Sequence, residues 1–232
     1  MKNLEEYLQF FSNYQEFNSI LVKVYQFILQ QFLVSGSKKS HSLEHTIRVT
    51  HTCMNLGFEL NAKLDILIIA ALFHDTGRPL EEVTERCHAE LSAEIASEFL
   101  KEHSLSDMIP EVCNIILSHR FSKNIKPTSK EGKILKDADA LDALGAMGLY
   151  RTISYSTERK YDLEKALKHF DEKLFKLPEL MHFPSTKKLA MEKCKILKEF
   201  AENIEECRKK SNFNSLLEQL QNRNHSENQN FK

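Results

Sequence analysis

Four side chains combine residue types that bind divalent metals with positions that place polar groups against apolar helices. His74 and Asp75 directly follow Leu64–Phe73, a run of ten residues that is almost wholly apolar. His45 lies near a predicted helix start, and Asp139 lies in a polar insert of a later helical segment. An ion that activates water needs neutral imidazoles and carboxylates on rigid elements, with coordination positions left open. These residues therefore predict a divalent metal site to which separate helices contribute.

Each candidate ligand also has a purely structural interpretation. A single buried histidine is more often a hydrogen-bonded core residue than a ligand, so His45 alone is weak evidence. The His-Asp pair after the apolar run is stronger evidence, because burying a carboxylate without a partner is expensive. Asp137, Asp139 and Asp142 also suit helix caps or solvated charges. Helical periodicity prevents all three from facing one way, so we expect one inward aspartate.

Two further histidines occupy inward helix faces. His88 shares a face with Ile95 and Phe99, and His119 ends an apolar face that includes Ile115. Core packing is one explanation for both histidines. The other is functional: imidazole suits zinc, iron, nickel and copper, so the pair predicts a second ion or hydrogen bonds to a substrate phosphate.

Helices must position these side chains. Apolar residues recur at spacings of three and four almost throughout, and only 6 Gly and 5 Pro occur among 232 residues. We therefore predict an all-α helical bundle with Leu64–Phe73 as its central buried helix. The other predicted helical segments are 2–34 (one or two helices with a buried stripe of Leu21, Val24, Tyr25, Ile28 and Phe32), 42–60, 88–102, 109–119, 130–155, 161–178 and 185–210, with a loop through Glu81, Glu82 and Glu85.

Composition restricts partners and compartment. The formal net charge is −1, from 32 basic and 33 acidic residues, so no global field favours nucleic acid polymers or anionic membranes. Five scattered cysteines fit reduced thiols, and Glu5 and Glu6 interrupt the segment where a signal peptide needs an apolar core. We expect a cytoplasmic protein with one domain over 1–210, its metal site within 41–142, and a polar flexible tail over 211–232.

Three segments carry the candidate ligands in a fixed order. They are HSLEHTIRV from His41, LFHDTGRP from Leu72, and GKILKDADALDALGA from Gly132. Together they resemble the hallmark motifs of the HD-domain superfamily of metal-dependent phosphohydrolases, whose order is His, then His-Asp, then a distant Asp. The resemblance covers about residues 15–207. It departs from the usual pattern at Ser42, where Asp is frequent, and at Ala140, where Arg is common.

The resemblance implies a specific ligand set and a catalytic role for further residues. The implied metal ligands are His45, His74, Asp75 and Asp139. Asp75 can also bridge to a second ion and orient the attacking water. His88 and His119 match the additional histidines of HD proteins with a fuller pocket, and would act in catalysis. The cofactor would be one divalent ion, or two, chosen from Mn, Mg, Zn, Ni and Fe.

The substrate class follows from the same resemblance. His169–Leu174 and Thr186–Ala190 resemble a small HD subfamily that includes nucleotide pyrophosphohydrolases, which split nucleoside triphosphates into monophosphate and pyrophosphate. A phosphorylated small molecule, above all a nucleotide, is the expected partner, and homodimerisation stays open. The candidate cations for its phosphates are Arg48, Arg78, Arg120, Arg151 and Lys173, with a solvated surface charge as the alternative for each.

Two other functions remain alternatives to the hydrolase. Some HD proteins with six ligand residues hold two irons and activate dioxygen, and His88 and His119 make this chemistry conceivable here. A nucleotide-binding module without catalysis is the third interpretation, which the intact set of candidate ligands disfavours.

Overall fold

The computed structural model describes residues 15–35, 42–120, 123 and 125–211, and no strand occurs among them. The helices are α1 (Gln15–Ser35), α2 (Leu43–Glu59), α3 (Leu64–Phe73), α4 (Arg78–Thr84), α5 (His88–Glu102), α6 (Ile109–His119), α7 (Lys130–Asp142), α8 (Gly145–Glu158), α9 (Leu163–Glu172) and α10 (Pro184–Lys210). Short 3-10 helices span Ser106–Met108 and Leu174–Leu180. The all-α prediction is confirmed.

Some sequence predictions fall outside this part of the chain. The start of the predicted first helical segment, His41 of the opening motif and the predicted flexible tail from residue 212 onward lie outside the described residues. Within the described residues, no helix is long and apolar enough to cross a membrane.

Helix α3 is the central buried helix, as its apolar sequence predicts. Every residue from Leu64 to Phe73 except Asp65 is buried, and α3 contacts α1, α2, α5, α6 and α7. Phe73 packs against Phe27 of α1 and Phe99 of α5, with ring centroids 6.0 and 5.4 Å away. Each fully buried large apolar side chain contributes about 1.5–3 kcal/mol to stability. The end of α3 is thus held rigidly where His74 and Asp75 begin.

The predicted buried stripe of α1 is wrong at one position. Val24, Ile28 and Phe32 are buried and Leu21 is half-buried, but Tyr25 is 41% exposed. Adjacent residues of a helix project in directions about 100° apart. Tyr25 therefore does not share the buried face of Val24.

The predicted continuous helix over 130–155 is also wrong, because it is broken between α7 and α8. Leu144 is extended, with φ −117° and ψ 165°, and Gly145 has φ +70°, a conformation that favours glycine. Nine residues of unbroken helix would place the backbones of Asp142 and Arg151 about 13 Å apart. The break instead brings Arg151 Nη1 to 2.8 Å from Asp142 Oδ2.

Residues predicted as a loop after α3 form the short helix α4. Pro79 lies in its first turn, where its missing N–H costs nothing, and Glu85 ends the helix with φ +58°. This helix directs Glu81 toward His88 at the start of α5.

Gly77 permits the close contact between the turn after α3 and the start of α5. Its N–H donates to Ser92 Oγ at 2.8 Å, and an added Cβ would lie 2.5 Å from the His88 carbonyl oxygen. We expect Gly77→Ala to lower the free energy of unfolding by about 2 kcal/mol, because α5 must shift. Urea denaturation measures this loss. Glu98→Ala, at an exposed position of α5, is the control, and equal stability of the two variants would contradict the close-packing explanation.

Candidate metal centre

Side chains from five parts of the fold converge beside the end of α3. His45 comes from α2, Asp139 from α7, and His74 and Asp75 from the turn after α3. The ligand atoms of His45, His74 and Asp139 all lie within 4.8 Å of one another. The same is true of a second group, which consists of Asp75, His88 of α5 and His119 of α6.

Asp75 joins the two groups through its two carboxylate oxygens. Its Oδ2 lies 3.6 Å from His45 Nε2 and 3.8 Å from His74 Nε2. Its Oδ1 lies 3.4 Å from His88 Nε2 and 3.6 Å from His119 Nε2. Asp75 would therefore contribute to both groups if each held an ion.

Backbone carbonyl groups orient two of the four histidines. His74 Nδ1 lies 2.7 Å from the Ala71 oxygen, and His119 Nδ1 lies 2.5 Å from the Ile116 oxygen. A carbonyl oxygen can only accept a hydrogen bond, so each Nδ1 carries the proton. This assignment leaves Nε2 of both rings with a lone pair directed into the centre.

Carboxylates orient the other two histidines in the same sense. His45 Nδ1 lies 2.7 Å from Asp142 Oδ2, and His88 Nδ1 lies 3.1 Å from both carboxylate oxygens of Glu81. Ionised carboxylates are acceptors, so these Nδ1 atoms also carry protons. All four histidines thus present Nε2 toward Asp75.

The converging Nε2 atoms fit a cation. His45 Nε2 and His74 Nε2 lie 3.3 Å apart although neither has a proton to give the other in this tautomer. Nε2 of His88 and of His119 are buried and make no hydrogen bond within the described residues. Buried polar atoms without partners are rare, and neutral imidazole with its second nitrogen anchored is the form in which histidine binds metals. The donor set therefore fits divalent metal ions.

The electrostatics of the group favour the neutral imidazole at His74 and His88 and the charged form at His45. Burial lowers the pKa of His74 to about 4 and that of His88 to about 3. Burial and the charge of Arg151 oppose the charged form of His45, but the neighbouring carboxylates Asp139 and Asp142 outweigh them and raise the pKa of this histidine. Burial would raise the pKa of Asp139, whereas His45 and His74 hold it well below its usual value.

The arginines predicted to bind substrate lie around the centre and contact its carboxylates. Arg48 donates to Asp142 from Nε at 2.7 Å and Nη2 at 3.0 Å, and Arg151 donates to the same carboxylate. Arg78 donates from Nε to Asp75 Oδ1 at 2.9 Å. These three cations are therefore close enough to the centre to meet a substrate, and their role in binding it stays a prediction.

Arg120 and Lys173 complete the predicted set of cations. Arg120 Nη1 donates to Glu81 Oε1 at 2.7 Å and contacts Cys87 Sγ at 3.0 Å. Burial lowers the pKa of Lys173, and the charges of Asp139 and Asp75 oppose that shift. Both cations therefore lie near the candidate ligands. Their role in binding substrate stays a prediction.

The expectation of one inward aspartate on α7 is wrong. Asp137 is 1% exposed and accepts hydrogen bonds from the His182 backbone N–H, His182 Nδ1 and Thr186 Oγ1 at the start of α10. Asp139 lies in the centre and Asp142 accepts from His45 Nδ1. More than one aspartate is enclosed because α7 is surrounded by α2, α3, α6, α8 and α10.

Comparison with known proteins identifies the family. A model of the HD domain matches residues 42–144. A predicted HD superfamily hydrolase from an uncultured Thermotogales bacterium is 31% identical, with a TM-score of 0.61 over 79% of this chain and 90% of that chain. This chain belongs to the HD-domain superfamily. The resemblance inferred from its three motifs is confirmed.

Other HD relatives differ in how much of their length matches. YpgQ of Bacillus subtilis is 26% identical over 75% of this chain and 88% of its own length. A structure of YpgQ in complex with ADP has a TM-score of 0.65 at 24% identity, which shows a common fold. Ribonuclease Y of Bacillus pumilus is 32% identical, but the match covers only 21% of that protein.

Two residues of this HD centre escaped the sequence analysis as parts of the site. Asp142 follows Asp139 by three positions in the closing motif, so the two residues share one face of the helix. This spacing is the signal that could have placed Asp142 at the site. Glu81 precedes His88 by seven positions and carried no comparable signal, since its segment was predicted to be a loop.

Proposed function

We propose that this HD protein is a metal-dependent phosphohydrolase that acts on a phosphate ester or anhydride. The observation that carries the proposal is the convergence of four anchored imidazoles on both oxygens of Asp75. When bound, a divalent ion supplies a coordinated water with a pKa near neutrality and offsets negative charge on a phosphoryl oxygen. Mn, Mg, Zn, Ni and Fe are the candidate ions, and the two groups of ligands accommodate one ion each.

The chain's own residues bind and orient in this proposal. His45, His74, Asp75 and Asp139 would hold the first ion, and Asp75 with His88 and His119 would hold the second. Asp75, which contributes to both groups, would also orient the attacking water. Asp139 keeps 31% side-chain exposure while the other ligands are buried, so substrate enters on the side of Asp139.

A nucleotide is the proposed substrate. Its phosphates need cations, and the candidate cations lie around the centre: four arginines, whose forked donors suit phosphate oxygens, and Lys173. The YpgQ complex with ADP supports nucleotide binding in a protein of the same fold. We therefore propose cleavage of a nucleoside triphosphate to monophosphate and pyrophosphate as the first reaction to test.

The second candidate function is oxygenation at two irons. The observation that favours it is the second group of ligands, because His88 and His119 add imidazoles beyond the four ligands implied for the first ion. A nucleotide-binding module without catalysis ranks third, since the ligands that it would not need are all present.

A substrate screen tests the proposed reaction. Protein loaded with zinc or manganese is incubated with nucleoside mono-, di- and triphosphates and with a model phosphodiester, and products are identified by phosphorus NMR. We expect a triphosphate to give pyrophosphate and monophosphate. Orthophosphate as the first product would reject this leaving group, and no cleavage of any compound would reject the phosphohydrolase.

Arg48→Ala tests the proposed binding of phosphate. We expect the KM for the substrate to rise about tenfold while kcat falls little, because the charge contacts the bound phosphate rather than the reacting water. The salt dependence of KM should weaken as well. Arg208→Ala is the matched control, since it removes an equal charge that pairs with Glu205 and Glu164. An unchanged KM in Arg48→Ala would leave Arg48 as a structural partner of Asp142 only.

A further inference from the structure

The anchors of the four histidines form a repeated pattern. Each of the two ligand groups contains one histidine whose Nδ1 donates to a backbone carbonyl, namely His74 or His119. Each also contains one histidine whose Nδ1 faces a carboxylate, namely His45 or His88. The carboxylates that face them, Asp142 and Glu81, come from different helices and belong to neither ligand group.

Asp142 connects three helices at the first group. Its two oxygens accept from His45 Nδ1 of α2, from Nε and Nη2 of Arg48 on the same helix, and from Arg151 Nη1 of α8. Its side chain is 8% exposed. Burial alone would raise the pKa of Asp142, but the hydrogen bonds with His45 and Arg48 hold it below its usual value. The Asp142 carboxylate thus contacts the His45 imidazole and two guanidinium groups at once.

Glu81 occupies the corresponding place at the second group. Its oxygens lie 3.1 Å from His88 Nδ1, and it accepts from Arg120 Nη1 at 2.7 Å and contacts Arg78 Nη1 at 3.4 Å. Its side chain is 24% exposed. Each carboxylate thus holds one histidine of the centre and two arginines.

We infer that Asp142 and Glu81 are positioning residues, each of which sets the ion affinity of its own ligand group through His45 or His88. A carboxylate that accepts from Nδ1–H fixes the ring and increases the electron density on Nε2, which a neutral carbonyl does less strongly. This inference rests on the proposed metal site. It goes further because it assigns a separate positioning residue to each ion.

The arginines link this role to substrate binding. Arg48 and Arg151 share Asp142 with His45, and Arg78 and Arg120 share Glu81 with His88. Removing Arg48 leaves the His45–Asp142 hydrogen bond in place, whereas removing the carboxylate charge disturbs both the imidazole and the arginines. A measurement of ion affinity therefore distinguishes the two roles, because only the loss of the carboxylate charge should weaken ion binding.

Asp142→Asn and Glu81→Gln test the inference by metal binding alone. Calorimetry with zinc should show two sites in the wild type, with one site weakened ten- to a hundredfold in each variant. Cobalt-loaded protein reports which site has changed, because each Nε2-bound histidine gives its own exchangeable Nδ1–H signal in paramagnetic NMR. We expect Asp142→Asn to shift the His45 signal and Glu81→Gln to shift the His88 signal.

Asp137→Asn is the matched control, because this buried aspartate of α7 contacts His182 and Thr186 rather than a histidine of the centre. It should lose stability without losing zinc affinity. If Asp142→Asn does not fold, Glu81→Gln at its half-buried position still tests the inference.

Two outcomes would overturn the inference in different ways. If the wild type binds two ions and both variants bind zinc with unchanged affinities, or both shift the same signal, separate positioning roles are wrong while the metal site stands. If the wild type binds neither zinc nor cobalt, the proposed function fails together with the inference.

Discussion

Asp75→Ala is expected to abolish turnover and remove both ions while the fold is retained. Asp75 offers one oxygen to each ligand group, so its loss affects both at once. Several kcal/mol of transition-state stabilisation depend on the ion and its water, and each 1.36 kcal/mol is a factor of ten in rate. We expect kcat to fall by about a thousandfold or more, and His74→Ala to have an effect of similar size.

Metal content and circular dichroism must accompany these activity measurements. The helical core below the site, including Phe73 and its aromatic neighbours, is not altered by either substitution. Asp107→Ala, at an exposed aspartate, controls for the loss of a carboxylate elsewhere. Full activity in a correctly folded Asp75→Ala protein would remove this site from the reaction.

His88→Ala and His119→Ala are expected to lose about a hundredfold in kcat while the first ion remains bound. Both rings present a buried Nε2 toward Asp75 Oδ1, where no hydrogen bond within the described residues satisfies it. Their loss leaves His45, His74 and Asp139 intact. In each variant, the zinc content should fall from two ions to one ion per protein molecule.

His51→Ala provides the control for these two variants, since His51 lies on α2 but is exposed and contacts Asn55. Elemental analysis and initial rates are measured on the same samples. Unchanged rates in both His88→Ala and His119→Ala would make these histidines core residues, the structural alternative that their apolar helix faces suggest.

The sequence predicted much of the fold because burial leaves a clear pattern. The apolar run Leu64–Phe73 predicted the central helix, and helices α5 and α6 match their predicted segments at 88–102 and 109–119. The placement of His74 and Asp75 directly after that run predicted polar side chains at the floor of the core. The family motifs added Asp139 to the same group.

The remaining features depend on tertiary contacts that periodicity does not contain. The break at Gly145 was missed because the segment on both sides is helical, yet it decides whether Arg151 reaches Asp142. The roles of Asp137 and Asp142 were missed because a helix enclosed by five others has more than one inward face. Glu81 was missed because helix α4 is only seven residues long.

One measurement tests the proposed function most directly. Metal-free protein is reconstituted separately with zinc, manganese and ferrous iron, and hydrolysis of a nucleoside triphosphate and of a model phosphoester is followed together with oxygen consumption. We expect protein loaded with zinc or manganese to cleave at least one of these substrates without oxygen, and Asp75→Ala to cleave neither. Turnover only with iron, with oxygen consumed and no phosphoester cleaved, would replace the phosphohydrolase with an oxygenase.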